Sequence, residues 1–387
     1  MHHVSGIGGG SYCLLNVVKS LDRTVWEPIV ALKSHGPLEY ELRRIGIPVV
    51  FFPEMTSIPY NKSIFKKNSI QSYYCAYNSA KSLRSLLLEN HINVVYLNNM
   101  MLYPYLRSAK ECGCNTVLHV REHWPLDEHR MQLKYAQKYV YKYADVLIAI
   151  NKYSASMFPK KCSVVVYDWI DMSERYKEFD LNRIFGEDCS NKIILLFNGG
   201  LQLIKGPDYI INSFSKYIKG DNYRLLLLGV DSIPYLTGIR HKIKCLLMRF
   251  GYKYSYKMMV DNIQNDIRIK CIPAIYEIED IINKSSCYIS YFRIPHANLS
   301  LAENLLLQKP CIAADNEEAR EYTNNGDFAM LVEPNNIHLF ADNLKKFLSD
   351  LDDWKLRSEK ASEVIREMFD KTKNVSKLND ALKTLVS

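Results

Sequence analysis

Twelve short, mostly apolar runs recur along this 387-residue chain, separated by longer amphipathic stretches. In the first half they lie at 28–32, 48–52, 93–97, 116–120, 145–150 and 163–167. In the second they lie at 192–197, 223–229, 266–271, 286–292, 310–315 and 328–332. Runs this short and this continuously apolar suit strands covered on both faces, as in parallel sheets of alternating α/β units. The intervening stretches carry helical spacing, as in Leu14, Val17 and Val18, or Ile210, Phe214 and Tyr217. One open sheet of twelve strands would be unusual, whereas two doubly wound six-stranded domains are ordinary. The polar stretch 171–192 reads as the linker between them, and the segment from about Trp354 onward reads as charged helix.

Composition narrows the class. The hydrophobic fraction of 48% and charged fraction of 24% are those of a soluble globular protein. Among the ten cysteines only Cys112 and Cys114 lie close together, and no CxxC or His/Cys cluster appears. Reduced thiols in a cytoplasmic compartment are therefore expected, with no structural zinc. The opening MHHVSGIGGG has neither the basic region nor the apolar run of a signal peptide. No apolar run approaches the ~18 residues that span a bilayer, so a soluble or peripheral chain is expected. The net charge of +8 favours anionic partners, such as sugar nucleotides, lipid phosphates or an anionic membrane face. Nucleic acid is not expected, since no basic DNA-reading helix or RNA-stacking motif is present.

Gly6, Gly8, Gly9 and Gly10 lie between a short strand, HHV, and the helix SYCLLNVVKSL, with Ser11 as its expected N-cap. Glycines here admit close approach of a ligand, and helix-start amides can face an anion; a tight strand-to-helix turn explains them equally well. The next strand ends in Leu32-Lys33-Ser34 without the carboxylate of a dinucleotide site. A diphosphate or acceptor loop therefore fits better than a dinucleotide fingerprint. The HHV strand ends at Val4, just before Ser5, so it looks clipped, and a start upstream of Met1 is expected.

In the second half, Gly206 turns the chain and Pro207 takes the first helical position, so Lys205 projects beside a helix N-terminus. Its charge and the helix dipole would both attract phosphate; a solvated lysine beside a cap is the plain alternative. Between 287 and 334, two strands flank the polar loop RIPHANLS, which opens a helix containing Glu303. A carboxylate there suits a pair of ribose hydroxyls. Ser300 and Glu303 also form an S-x-x-E capping box, which accounts for both residues without a ligand. His119 falls near the end of the fourth strand, followed by Arg121, Glu122 and His123. A buried core histidine and a site residue are both open readings. Glu122 either orients substrate hydroxyls or pairs with Arg121.

The order of elements, these motifs and the trailing Asn325-Gly326…Leu331-Val332-Glu333-Pro334 resemble family 4 retaining glycosyltransferases of the GT-B fold. The resemblance is strongest over 192–334, moderate over 3–20 and 116–122, and weak elsewhere. It implies an α/β chain of two doubly wound, parallel-sheet, Rossmann-like domains facing a cleft. Residues 1–170 would form the acceptor domain, 171–365 the nucleotide-sugar donor domain, and 366–387 a helix packing back on the first domain. In the family pattern G-R-L-x-x-x-K-G, Gly199, Leu201, Lys205 and Gly206 match, and Gly200 replaces the arginine. In E-x7-E, Glu303 matches the second glutamate, which binds ribose in the family. Pro295 stands in place of the first, followed by His296, which is assigned a sugar contact. Asn298 and Leu299 match the loop whose amides face donor sugar and diphosphate, and His119 matches a histidine facing the sugar.

The resemblance thus implies His119, Lys205 and Glu303 as catalytic residues. Gly9, Gly10, Gly199, Lys205, His296, Asn298, Leu299 and Glu303 would bind donor, with Glu122 and Arg293 as secondary candidates. Neither metal nor cofactor is expected. The implied reaction moves a sugar from a UDP- or GDP-linked donor to a saccharide on a polyprenyl or other lipid carrier. Frequent Asn, Lys, Ile and Tyr suggest an AT-rich bacterial gene and a place in cell-surface polysaccharide synthesis. Residues 60–88 would offer the acceptor surface. The stretch 238–260 mixes Arg240, Lys242, Lys244, Arg249, Lys253 and Lys257 with large apolar residues, as an interfacial helix on anionic lipid would. An amphipathic helix packed on the sheet is the preferred reading of that stretch. Two rival classes stand beside the transferase: a degenerate sugar-nucleotide-binding partner subunit, and a sugar-nucleotide epimerase of similar fold.

Overall fold

All twelve apolar runs carry a strand in the computed structural model, which describes residues 1–59, 63–124, 126–172, 176–234, 238–248, 254–275, 277–294 and 297–386. The strands are β1 (Val30–Leu32), β2 (Val49–Phe51), β3 (Val94–Leu97), β4 (Asn115–Val120), β5 (Val146–Ala149) and β6 (Val164–Val165), then β7 (Ile193–Asn198), β8 (Tyr223–Leu228), β9 (Ile269–Ile272), β10 (Cys287–Ile289), β11 (Cys311–Ala314) and β12 (Met330–Val332). Every pairing between them is parallel. Most are shorter than the runs that announce them. The run 286–292, for example, forms a ladder only over Cys287–Ile289, with the Ser290 N–H still donating to the Ile312 carbonyl at 2.9 Å as the chain leaves the sheet.

The chain divides into two units, Met1–Trp169 with Phe369–Ser387, and Ile170–Met368. The second unit holds one six-stranded sheet in the order β12-β11-β10-β7-β8-β9. Numbered within the unit, this is 6-5-4-1-2-3, a doubly wound sheet whose order reverses between β7 and β10. Phe197, Phe214, Phe340 and Phe347 are fully buried in its core. Each contributes roughly 1.5–3 kcal/mol by leaving water.

Among the described residues the first unit does not hold the six-stranded sheet read from its sequence. It holds two pieces, β1-β2 and β3-β4-β5-β6. Among the described residues, Met1 and His2 alone bond to both: His2 makes an isolated parallel bridge to Leu32, and the Met1 backbone bonds to Tyr96 and Asn98. The HHV segment is therefore one bridge and not a strand. On the other side, the helix Lys371–Lys383 lays Leu378 and Leu382 against Val117, Ile148, Val166 and Trp169.

The helix Ile239–Met248 corrects one expectation. Its apolar side is not packed on a sheet: Ile239, Ile243, Leu246 and Leu247 are exposed, with Ile239 at 75%. His241, Cys245 and Met248 form the more covered face, with the His241 ring stacked near Tyr254. Arg249 and Lys253 lie outside the described residues, as does the side chain of Arg240.

Candidate functional site

In the second unit, the sequence-predicted residues collect at the carboxyl ends of β7 and β10, where the strand order reverses. Ligands of open α/β sheets bind at such reversals. After β7 the chain makes two glycine-dependent moves. Gly200 has φ +60°, donates its N–H to the Leu228 carbonyl at 3.0 Å, and would drive a Cβ to 2.7 Å from the Gly229 oxygen. A side chain at this position would be strained and would overlap that oxygen, so the backbone would have to shift to admit the family's arginine. Gly206 has φ +72°, and a Cβ there would come within 2.1 Å of the Tyr291 carbonyl oxygen at the end of β10. The Arg293 N–H donates to the Ile204 carbonyl at 3.0 Å, so the Lys205 turn is fastened to the chain leaving β10.

Lys205 ends the short 3-10 turn Leu203–Lys205, just before the helix Pro207–Tyr217. It is half-buried, its ammonium lies 6.0 Å from the Phe292 ring centroid, and burial lowers its pKa. No acidic group pairs with it among the described residues. An unneutralised, partly desolvated cation beside a helix N-terminus is a receptive place for phosphate. Arg293 differs. Its guanidinium is bound by both carboxylate oxygens of the buried Asp208 and lies 4.6 Å over the Tyr209 ring. Its charge is already spent within the protein.

The helix Leu299–Leu306 starts at Asn298, and this removes the capping-box account of Glu303. Asn298 is the N-cap: its Oδ1 accepts from the Leu301 N–H and the Tyr288 hydroxyl, and its Nδ2 donates to Ser290 Oγ at 2.8 Å. Ser300 lies inside the helix, where its hydroxyl accepts from Asn198 Nδ2 at 3.0 Å and ties the end of β7 to this helix. Glu303 is thus a full turn past the cap and only 2% exposed. The amides of Leu299 and Ser300 belong to the first turn, which has no intrahelical acceptors. Gly199 follows β7 directly, and a Cβ on it would strike the Phe197 ring. His296 lies outside the described residues.

In the first unit, Gly10, Asn98, Arg121 and His119 are joined through side chains. Asn98 donates to the Gly10 carbonyl at 3.4 Å and accepts from Arg121 Nε at 3.0 Å. Arg121 also holds Asp168 through Nη1 at 2.5 and 2.6 Å, and donates through Nη2 to His119 Nδ1 at 3.3 Å. Because arginine can only donate, Nδ1 is an acceptor, and the Tyr96 hydroxyl donates to it as well at 2.5 Å. The ring is therefore neutral with its proton on Nε2. Burial and the Arg121 charge both push its pKa well below the ordinary value. His119 is 1% exposed, and its Nε2 has no partner among the described residues. Among the described residues no ion pair joins Glu122 to Arg121, although the Arg121 charge and backbone N–H both favour the ionised carboxylate. Glu122 accepts from the Met100 N–H at 2.8 Å, and burial raises its pKa to about 7.

Ser11 is not the N-cap of the first helix. Gly8 holds that position and Ser11 is buried in the first turn of Gly9–Ser20, donating to the Gly6 carbonyl at 2.7 Å. Gly6, Gly8 and Gly9 are exposed, none has positive φ, and a Cβ on any of them would meet nothing within 4 Å. Neither backbone conformation nor packing within the chain calls for glycine here, which weakens the tight-turn account of these residues. Sequence reading passed over Asn98 and Asp168. Their only signal was position, just past the ends of β3 and β6.

Residues 182–367 match the family model for glycosyl transferases group 1. That span contains Gly199, Lys205, Arg293, Asn298 and Glu303. Three solved structures resemble the whole chain. HepE from Anabaena, in complex with UDP and glucose, aligns at TM-score 0.73 and 16% identity, covering 99% of this chain and 98% of its own. A glycosyltransferase from Rickettsia africae aligns at TM-score 0.70 and 18% identity, covering 98% and 96%. Sucrose-phosphate synthase from Thermosynechococcus elongatus aligns at TM-score 0.70 and 12% identity, covering 100% and 96%. No curated protein sequence matches the chain. Likeness at these identities carries the fold: the chain has the parallel-sheet α/β fold of GT-B glycosyltransferase structures. Among the described residues no helix is long and apolar enough to cross a membrane.

Proposed function

We propose that this chain is a retaining glycosyltransferase that moves a sugar from a UDP- or GDP-linked donor to a saccharide acceptor on a lipid carrier, in cell-surface polysaccharide synthesis. The observation that carries this reading is Lys205, a half-buried ammonium without an acidic partner among the described residues. Its turn follows β7 at the β7/β10 reversal, and the helix that holds the buried Glu303 is bonded to the end of β7 through Ser300. Lys205 and the first-turn amides of Pro207–Tyr217 and Leu299–Leu306 would stabilise charge on the departing diphosphate by preorganisation, so the reading is metal-independent. Glu303 would accept from the ribose hydroxyls, and Gly9 and Gly10 would let the backbone approach substrate. His119 would donate from Nε2 to a sugar hydroxyl. It cannot serve as a base there, because Nε2 already carries the proton. The bond from the sugar's anomeric carbon to phosphate breaks as the acceptor oxygen bonds on the same face, and the acceptor proton passes to the leaving phosphate.

The exposed stripe Ile70, Tyr74 and Tyr77 on the helix Lys67–Asn78 supports an acceptor surface on the first unit. The bare apolar side of Ile239–Met248, with exposed Lys242 and Lys244, supports peripheral contact with an anionic bilayer at the cytoplasmic face.

A second reading rests on Gly200. Without the family's arginine, the chain would bind a sugar nucleotide and not turn it over. Incubation with UDP-, GDP- and ADP-sugars, with and without lipid-linked acceptors, separates the readings. Release of free nucleoside diphosphate is the expected result. Binding without turnover would favour the partner subunit, and interconverted sugar on intact nucleotide would overturn the transferase in favour of an epimerase.

A further inference from the structure

The His119 ring is gripped at one nitrogen and bare at the other. Its Nδ1 meets the Tyr96 hydroxyl at 2.5 Å and Arg121 Nη2 at 3.3 Å, while Nε2 is buried and without a partner among the described residues. Arg121 also bonds to the Tyr96 hydroxyl. Arginine supplies donors alone, so the Tyr96 oxygen accepts from it and the Tyr96 proton is left for His119. Both partners of Nδ1 are thus donors, and Tyr96 could turn acceptor toward the ring only by giving up its bond from Arg121.

Arg121 is oriented in turn. Its Nε donates to Asn98 Oδ1 at 3.0 Å, and its Nη1 donates to both oxygens of Asp168 at 2.6 and 2.5 Å. The Arg121 side chain is only 7% exposed, and a guanidinium that far from water depends on its carboxylate to stay there. Asp168 lies just past β6 and Arg121 just past β4, so the pair bridges two strand ends across β5. Which histidine nitrogen carries the proton is set by the bond at the other one. We propose that Asp168 is a positioning residue for His119: acting through Arg121 and Tyr96, it holds the ring as the Nε2–H tautomer. His119 then presents a donor and never an acceptor, and selects substrate groups that offer it an oxygen. That this oxygen belongs to a sugar rests on the transferase reading; the tautomer lock does not.

The test is nitrogen NMR on the full chain carrying isotope-labelled histidine, with His119→Gln assigning the His119 signals. In the unaltered chain Nδ1 should resonate as a bare, pyridine-like nitrogen and Nε2 as a protonated, pyrrole-like one. In Asp168→Asn both signals should move toward each other as the Nδ1–H form becomes populated. Tyr96→Phe, which leaves the ion pair in place, should move them the same way and serves if Asp168→Asn does not fold. With a sugar nucleotide that turns over, kcat/KM should fall about tenfold in Asp168→Asn, the worth of one hydrogen bond, while the Kd of the free nucleoside diphosphate stays the same. A protonated Nδ1 in the unaltered chain, or spectra of the variants identical with it, would overturn the proposal. The expected spectra in a chain that turns over no donor would uphold the lock and count against the transferase.

Discussion

Glu303 shows how one residue can be legible in type and ambiguous in role. The S-x-x-E spacing admits a cap, but Asn298 takes the cap and Ser300 is claimed by Asn198 from another strand. That partner lies 102 residues away in sequence, so no local pattern could reveal it. Glu303→Ala should therefore weaken donor affinity by roughly 10–100-fold, the worth of charge-assisted hydrogen bonds. Titration calorimetry with the nucleoside diphosphate checks this; unchanged affinity with a lower Tm would leave Glu303 a packing residue. Lys205 has no acidic partner to lose among the described residues, so Lys205→Ala should cut kcat by about 10²–10³ with little change in Tm. Comparable losses in turnover and in folding would reject a diphosphate role.

At the level of elements, the strands were readable because burial on two faces writes an unbroken apolar run. The face a helix presents was not. In Ile239–Met248 the apolar residues stand outward, and amphipathic spacing alone does not say whether a sheet or something else covers them. The glycine turns divide similarly. Gly206 is demanded by φ +72° and the Tyr291 carbonyl, whereas Gly9 is demanded by nothing within the chain. Gly206→Ala should cost at least ~1–2 kcal/mol for the left-handed backbone, before the overlap is counted, and lower Tm accordingly. Gly9→Ala should leave the melting curve in place and raise a substrate KM several-fold. A shifted melting curve with unchanged kinetics would assign Gly9 to architecture.

For the molecule as a whole, two doubly wound sheets follow from the spacing of the runs, and the second unit supplies one complete. The break in the first was marked in the sequence by the short HHV run before Ser5, while each run on either side of it reads as intact. One solution property follows. Burial raises the Glu122 carboxyl from its ordinary 4.5 to about 7, so the folded state holds more protons than the unfolded one between those limits. That group's share of stability should fall as pH rises through this window, and urea midpoints of the chain beside Glu122→Gln check the sign. The bare apolar side of Ile239–Met248 has a colloidal consequence. Apolar surface facing water draws like patches together, so light scattering should grow with protein concentration and fall when mild detergent is added.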